Sequence, residues 1–250
     1  MMYNPFSLKG KTIFVTGASS GIGKAIAIEC SKMGACLMIT GRNEERLNET
    51  FCRLEGDGHS KIIADLSVEK DVTHVIDSLS SIDGVVHSAG IFGRIPFQYV
   101  SKTTLFEQFE LNFNAPVVIS QQLIKKKILK NGGVILFITS ISGIVSSYAG
   151  GSIYSATKGA LNGLIKGMAI DLAPKKIRVN SVMPAMIKTN IIHDEKLTEE
   201  QWIEDEKKYP LKRYGRPEEV AFAAIYLLSD AAAWITGTNL LIDGGQTITY

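Results

Sequence analysis

Tyr154 and Lys158 stand four residues apart in "YSATK", a spacing that stacks a phenol and an ammonium on one face of a helix. An ammonium beside a phenol favours the phenolate, so a group that titrates near about 10 is drawn toward neutral pH and can trade protons. Taken alone, the pair is also what a surface tyrosine followed by a solvated lysine looks like. A second group is Gly17, Gly21 and Gly23 in "TIFVTGASSGIGKAIAIE", set between an apolar run and an amphipathic stretch. Glycines there let backbone approach a pyrophosphate seated at a helix N-terminus, where N–H groups lack partners; an ordinary strand-to-helix turn is the alternative. The third is Thr40, Gly41, Arg42 and Asn43, where an NAD-binding site would carry a carboxylate for the ribose 2′-hydroxyl. None is present, and Arg42 can pair with the 2′-phosphate of NADP. The alternative is an exposed arginine before a helix capped by Asn43, with Glu44 and Glu45 in its first turn.

These residues need elements to hold them. Short apolar runs at Thr12 to Thr16, Cys36 to Thr40, Lys61 to Ala64, Gly84 to His87, Val134 to Thr139, Arg178 to Val182 and Asn239 to Ile242 read as strands, with helical periodicity between them. That alternation predicts βαβ crossovers and a mostly parallel sheet covered on both faces, in one domain over residues 1–250. Residues 189–217 are polar and weakly patterned, with Trp202 and Tyr209 interspersed, and read either as a solvated excursion or as a substrate lid.

Composition narrows the function. The chain has 250 residues, 45% hydrophobic, with 27 Lys and Arg against 25 Asp and Glu, so charge gives no reason to expect nucleic acid or an anionic membrane. Cys30, Cys36 and Cys52 lack a Cys-x-x-Cys spacing, and His59, His74, His87 and His193 are scattered, so reduced thiols and no metal are expected. Neither a leader nor a membrane span is evident, and the cytoplasm is the expected compartment.

The motifs together resemble one family. "TGASSGIG" is similar to the cofactor loop of the short-chain dehydrogenase/reductases, and "YSATK" to their Tyr-x-x-x-Lys pair. "ITSISG" (138–143), "LNFNAP" (111–116), "RVNSVMPAMIKT" (178–189) and "GRPEEVAFAAIYLLSDAAAWITGTNLLIDGG" (215–245) resemble further family segments in the expected order. The resemblance runs from about Leu8 to Gly245 and implies a Rossmann-like, doubly wound α/β fold, a seven-stranded parallel sheet with helices on both faces. It departs at His87 and Ser88, where the family usually has two asparagines, and at Ala185, where it usually has glycine. Losing the amide at 88 puts a bracing hydrogen bond at the sheet centre in doubt, though the Ser88 hydroxyl could partly replace it. Ala185 requires only that the backbone avoid positive φ.

The resemblance implies hydride transfer between NADP(H), with NAD(H) the alternative, and a carbonyl or secondary alcohol. Tyr154 would be the general acid. Lys158 would lower its pKa and hold the ribose, Ser140 would polarise the substrate oxygen, and Asn112 would hold a relay water. Cofactor contacts would come from Gly17, Ser19, Ser20, Gly21, Ile22, Gly23, Arg42, Asp65, Leu66, Ser88, Ala89, Gly90, Tyr154, Lys158, Pro184, Ile187 and Thr189. By the same analogy Ile91, Phe92, Ser142, Tyr148 and Met186 line a mainly apolar pocket. Such a pocket suits a 3-oxoacyl thioester, a cyclic ketone, a steroid or a modified sugar. The readings to separate are therefore a carbonyl reductase, including a 3-oxoacyl-acyl-carrier-protein reductase, and an NAD-dependent sugar, polyol or steroid dehydrogenase. Outside redox chemistry stand a lyase or epimerase and a cofactor sensor. Lys125, Lys126, Lys127 and Lys130 form either a dock for an acidic acyl carrier protein or a solvated helix face. Small residues Gly159, Ala160, Gly163 and Gly167 permit close helix approach, and the family suggests a homotetramer built in part on this helix and the one carrying Asn112.

Overall fold

The computed structural model describes residues 3–189 and 198–248. Seven strands run parallel in the order β3-β2-β1-β4-β5-β6-β7. They are β1 (Thr12–Val15), β2 (Cys36–Gly41), β3 (Ser60–Ile63), β4 (Ile82–His87), β5 (Leu129–Ile138), β6 (Arg178–Pro184) and β7 (Asn239–Ile242). The central strands are apolar along their length because both faces are covered. Ile13, Val15, Leu136 and Ile138 face a core shared with α1 (Gly21–Lys32), α2 (Glu44–Phe51) and a late helix, α8 (Pro217–Leu228). Phe14, Ile135 and Phe137 point the other way, against α3 (Glu69–Ser78), α5 (Ala115–Lys125) and α6 (Ser152–Leu172). Truncating fully buried Phe14 or Phe137 to alanine would cost about 3–5 kcal/mol.

Two more helices complete the described residues. α4 (Lys102–Phe109) runs through one π-helical stretch, Glu110–Asn114, into α5; α7 (Glu199–Glu206) opens on a Thr198 and Gln201 capping box. The strand order reverses between β1 and β4, and this switch point opens a crevice at the carboxyl ends of the strands. All the catalytic candidates follow those ends or lie in helices that begin there.

Candidate active site

The glycine loop is built by close approach. Gly17, at φ +66, lies where a Cβ would come within 2.7 Å of the Ala89 backbone, and one on Gly23 would lie 2.3 Å from the Gly17 carbonyl oxygen. The turn after β1 is thereby pressed against the end of β4 and against α1, and no larger residue fits. Ser20 caps α1 with extended backbone but no side-chain hydrogen bond, and no acid lies in the first turn. α2, α3 and α8 each carry two acidic residues there. An uncapped, acid-free N-terminus fits a pyrophosphate. Gly21 lies beside Thr189, which follows β6, and Ser19 lies against Gly41 next to exposed Arg42. Asp65 lies close enough to Arg42 for its charge to be felt. Its carboxyl sits below the usual range, chiefly through hydrogen bonds from the Ser67 hydroxyl and N–H and to a smaller extent through Arg42.

Ser140 follows β5 and accepts a hydrogen bond from the Ser142 N–H (3.1 Å). Tyr154 and Lys158 occupy the first turns of α6, with the Lys158 ammonium 5.7 Å from the Tyr154 ring centre. Lys158 is buried and donates to the Ile138 carbonyl at 2.9 Å. A Cβ on Gly90 would lie 3.0 Å from Asn112 Oδ1 and 3.7 Å from Lys158 Nζ, so only glycine leaves room where these three converge. The Asn112 amide grips Ile91 from both sides, accepting from its N–H (2.8 Å) and donating to its carbonyl (2.9 Å), with a longer bond to Thr157 (3.3 Å). The π-helical stretch turns this side chain inward, as such irregularities often do at functional sites. Phe92 meets Tyr154 edge-on at 5.4 Å and stacks on Tyr148 at 5.1 Å. Phe92 and Tyr148 thus lie beside Tyr154 and Ser142 beside Ser140, while Ile91 is held by Asn112 and the Met186 carbonyl accepts from the Gly215 N–H.

A family model described as enoyl-(acyl carrier protein) reductase matches residues 17–247. The chain belongs to the short-chain dehydrogenase/reductase family. It is 36% identical to the 3-oxoacyl-[acyl-carrier-protein] reductase FabG of Rickettsia prowazekii, covering 96% of this chain and 98% of that one. It is also 32% identical to the gluconate 5-dehydrogenase of Gluconobacter oxydans, covering 98% and 97%. Among solved structures, a Beutenbergia cavernae protein assigned provisionally as an NAD(P)-dependent gluconate 5-dehydrogenase superposes with a TM-score of 0.88. That protein is 30% identical, covers 98% of this chain with 100% of its own, and was crystallised with NADP at low occupancy.

Within this short-chain dehydrogenase/reductase several expectations change. Tyr154 is not drawn toward neutrality: burial pushes its phenol up to about 12, although a hydrogen bond with Ser140 pulls the other way. The same burial lowers Lys158 to about 8, so desolvation outweighs the attraction that the spacing alone suggests. The brace at the sheet centre comes from Thr16, not Ser88: its hydroxyl accepts the N–H groups of Ser88 (3.1 Å) and Ala89 (3.2 Å). A strand-end threonine is too common for its sequence to announce this. Ala185 stays out of the positive-φ region, as expected.

Residues 190–197 of the expected lid lie outside the described residues; the rest is anchored. Tyr209 and Tyr214 are buried and meet edge-on at 5.4 Å, Trp202 packs on Tyr214 at 6.0 Å, and the Tyr214 hydroxyl donates to Asp205. Lys126 and Lys130 pair with Asp77 (2.6 Å) and Asp83 (2.9 Å). With Lys125 and Lys127 they sit where α5 ends and β5 begins, a ten-residue strand, roughly 30 Å, from the Ser140 end. They are a solvated, salt-bridged face remote from the chemistry.

His87 is buried, stacks on Phe137 at 5.0 Å and shares a 2.8 Å hydrogen bond with Ser120; burial lowers its imidazole to about 3. Between that value and the ordinary 6.5 the unfolded chain binds a proton that the folded chain refuses. Stability from this site is therefore full above about pH 6.5 and declines as pH falls toward 3. His87→Asn, the residue usual in the family, is expected to lose about 2–3 kcal/mol less than wild type between pH 7 and pH 4.5. Urea midpoints at both pH values measure this; equal losses would contradict it.

Proposed function

We propose that the protein is an NADP(H)-dependent carbonyl reductase, also oxidising the matching secondary alcohols, with Tyr154 as general acid and base. The observation that carries this reading is the convergence of Tyr154, Ser140 and Lys158 at the end of β5, with Lys158 buried and Tyr154 and Ser140 half-buried, beside the glycine groove. The nicotinamide supplies or accepts the hydride when bound. The chain supplies the proton and the field. In reduction, negative charge grows on the substrate oxygen, and Tyr154, fully protonated at neutral pH because burial lifts it to about 12, donates there. The Ser140 hydroxyl donates to the same oxygen. Charged Lys158 stabilises the tyrosinate left behind. Asn112 is a positioning residue, locking Ile91, and with it Gly90 and Phe92, against α6. Arg42 and the uncapped start of α1 hold the phosphates.

A pH dependence follows. Lys158 is charged below about 8, and kcat/KM for NADPH reports groups of the free enzyme. That parameter is expected to fall about tenfold per unit as pH rises beyond 8, while Tyr154, near 12, adds no limb below pH 10. A profile flat to pH 10 would contradict the assignment of Lys158.

Substrate and assembly follow from the same features. The relatives named a 3-oxoacyl reductase and a gluconate 5-dehydrogenase support a polar ketone rather than a steroid. On α6, Gly159 packs on Gly143, but nothing lies within 4 Å of a Cβ at Gly163 or Gly167. With exposed Ile170, Phe106 and Val118 they offer a close-packing face for a second copy, which supports the homotetramer. A monomeric mass by light scattering would exclude it. The deciding experiment is NADPH consumption with 3-oxoacyl thioesters, keto acids and sugar-derived ketones, and NADP reduction with the alcohols. No turnover in either direction would overturn the reading.

A further inference from the structure

The chain delivers the site in separate parts. One is the segment after β4, Gly90 to Phe92, in which Asn112 holds Ile91. Another is the first turns of α6, which carry Tyr154 and Lys158. Phe92 and Tyr154 meet edge-on at 5.4 Å, so the spacing of these parts is the spacing of pocket wall and proton donor. Among the described residues one hydrogen bond joins the π-helical stretch that bears Asn112 to α6, and it ends on Thr157. Thr157 is fully buried and Asn112 nearly so. The Thr157 hydroxyl has a single proton, and the Tyr154 carbonyl, 2.7 Å away, can only accept it. Its oxygen is left to accept from Asn112 Nδ2 at 3.3 Å. The other amide N–H goes to the Ile91 carbonyl at 2.9 Å, and the amide oxygen takes the Ile91 N–H at 2.8 Å. Reversing the amide would set oxygen on oxygen at both Thr157 and Ile91, so each bond fixes the others. A threonine inside a helix commonly bonds a carbonyl one turn back, which accounts for the Tyr154 contact. It does not account for an amide arriving from 45 residues earlier.

Resting on the carbonyl-reductase reading, we propose that Thr157 is the positioning residue that sets the pocket wall against the proton donor. Through Asn112 it fixes Gly90, Ile91 and Phe92 relative to Tyr154. Rate is sensitive to such spacing, since a misplacement of about 1 Å can cost about a hundredfold. The phosphate-holding residues lie elsewhere, so the effect falls on kcat rather than on NADPH affinity.

The test separates the hydroxyl from the methyl. Valine keeps the branched shape and removes the hydroxyl, whereas serine keeps the hydroxyl and removes a methyl. With the fastest ketone among 3-oxoacyl thioesters, keto acids and sugar-derived ketones, Thr157→Val is expected to lower kcat by about ten- to hundredfold, with NADPH Kd within about threefold of wild type. Thr157→Ser should keep kcat within about threefold of wild type. A packing role predicts the opposite order. The holding is also read without turnover, as hydrogen exchange of the Ile91 N–H, which should quicken about fivefold or more in Thr157→Val and stay slow in Thr157→Ser. If Thr157→Val does not melt cooperatively, Thr157→Ala and Thr157→Ser differ by the hydroxyl alone and give the same comparison. Wild-type kcat in Thr157→Val, an equal loss in Thr157→Ser, or a loss of kcat without faster exchange at Ile91 overturns the inference. Exchange at Ile91 that answers to the hydroxyl, in a protein that turns over no ketone, would sink the reductase reading and keep the coupling. Turnover that Thr157→Val leaves intact would do the reverse.

Discussion

Tyr154→Phe is expected to lower kcat by 10²- to 10⁴-fold, the usual worth of a positioned general acid. The substitution removes one oxygen and leaves the ring, so its edge contact with Phe92 at 5.4 Å and its neighbour Tyr148 at 6.3 Å should keep the pocket in shape. NADPH affinity should change little, because the glycine groove, Arg42 and Lys158 are untouched. The split between a collapsed kcat and a preserved cofactor Kd is what distinguishes a lost proton donor from a damaged fold. A variant that retains more than about a tenth of wild-type kcat would remove Tyr154 from its role.

Arg42→Ala should reduce kcat/KM for NADPH by about ten- to hundredfold and leave NADH nearly unaffected. Two unit charges about 4 Å apart interact by roughly 1 kcal/mol in water and about 4 kcal/mol at an effective dielectric near 20, and exposed Arg42 lies toward the lower figure. Each 1.4 kcal/mol is about a factor of ten. Nearby Asp65 sharpens the expectation: with Arg42 removed, its carboxylate is left to repel a 2′-phosphate. The converse variant, Gly41→Asp, should favour NADH. It is the less clean of the two, since its Cβ would come to 3.0 Å from Ser19 and push that residue aside. Equal loss with both cofactors in Arg42→Ala, or a wild type indifferent between them, would end the NADP assignment.

Much of this was legible in the chain. Seven short apolar runs at βα spacing specify the sheet, because the inner strands, covered on both faces, are largely apolar, and the structure has strands at all seven. The Asn43 cap is equally local: its side chain accepts the Arg46 N–H at 2.9 Å. What sequence could not supply was desolvation. The four-residue spacing of Tyr154 and Lys158 speaks of their mutual attraction but not of the burial that moves the phenol up and the ammonium down. Thr16 was missed for a related reason. Its importance lies in which distant backbone it meets, the N–H groups of Ser88 and Ala89, and neither is near it in sequence. The lysines at 125–130 show how little a charge run says by itself: the sequence left a dock and a solvated helix face open, and only the topology puts them at the far end of β5 from Ser140.

The anchored helix α7 also gives the protein a built-in optical reporter. Of its two tryptophans, Trp234 is 99% exposed, whereas Trp202 is half-buried edge-on against Tyr214. Emission from Trp234 is therefore a solvent-like background that Trp234→Phe would erase. The remaining fluorophore reports on one contact, the packing of α7 against Tyr214. Its wavelength and its quenching by iodide would follow the docking of α7 directly, so any displacement of that helix on adding a ligand could be timed in a stopped-flow instrument with no attached dye.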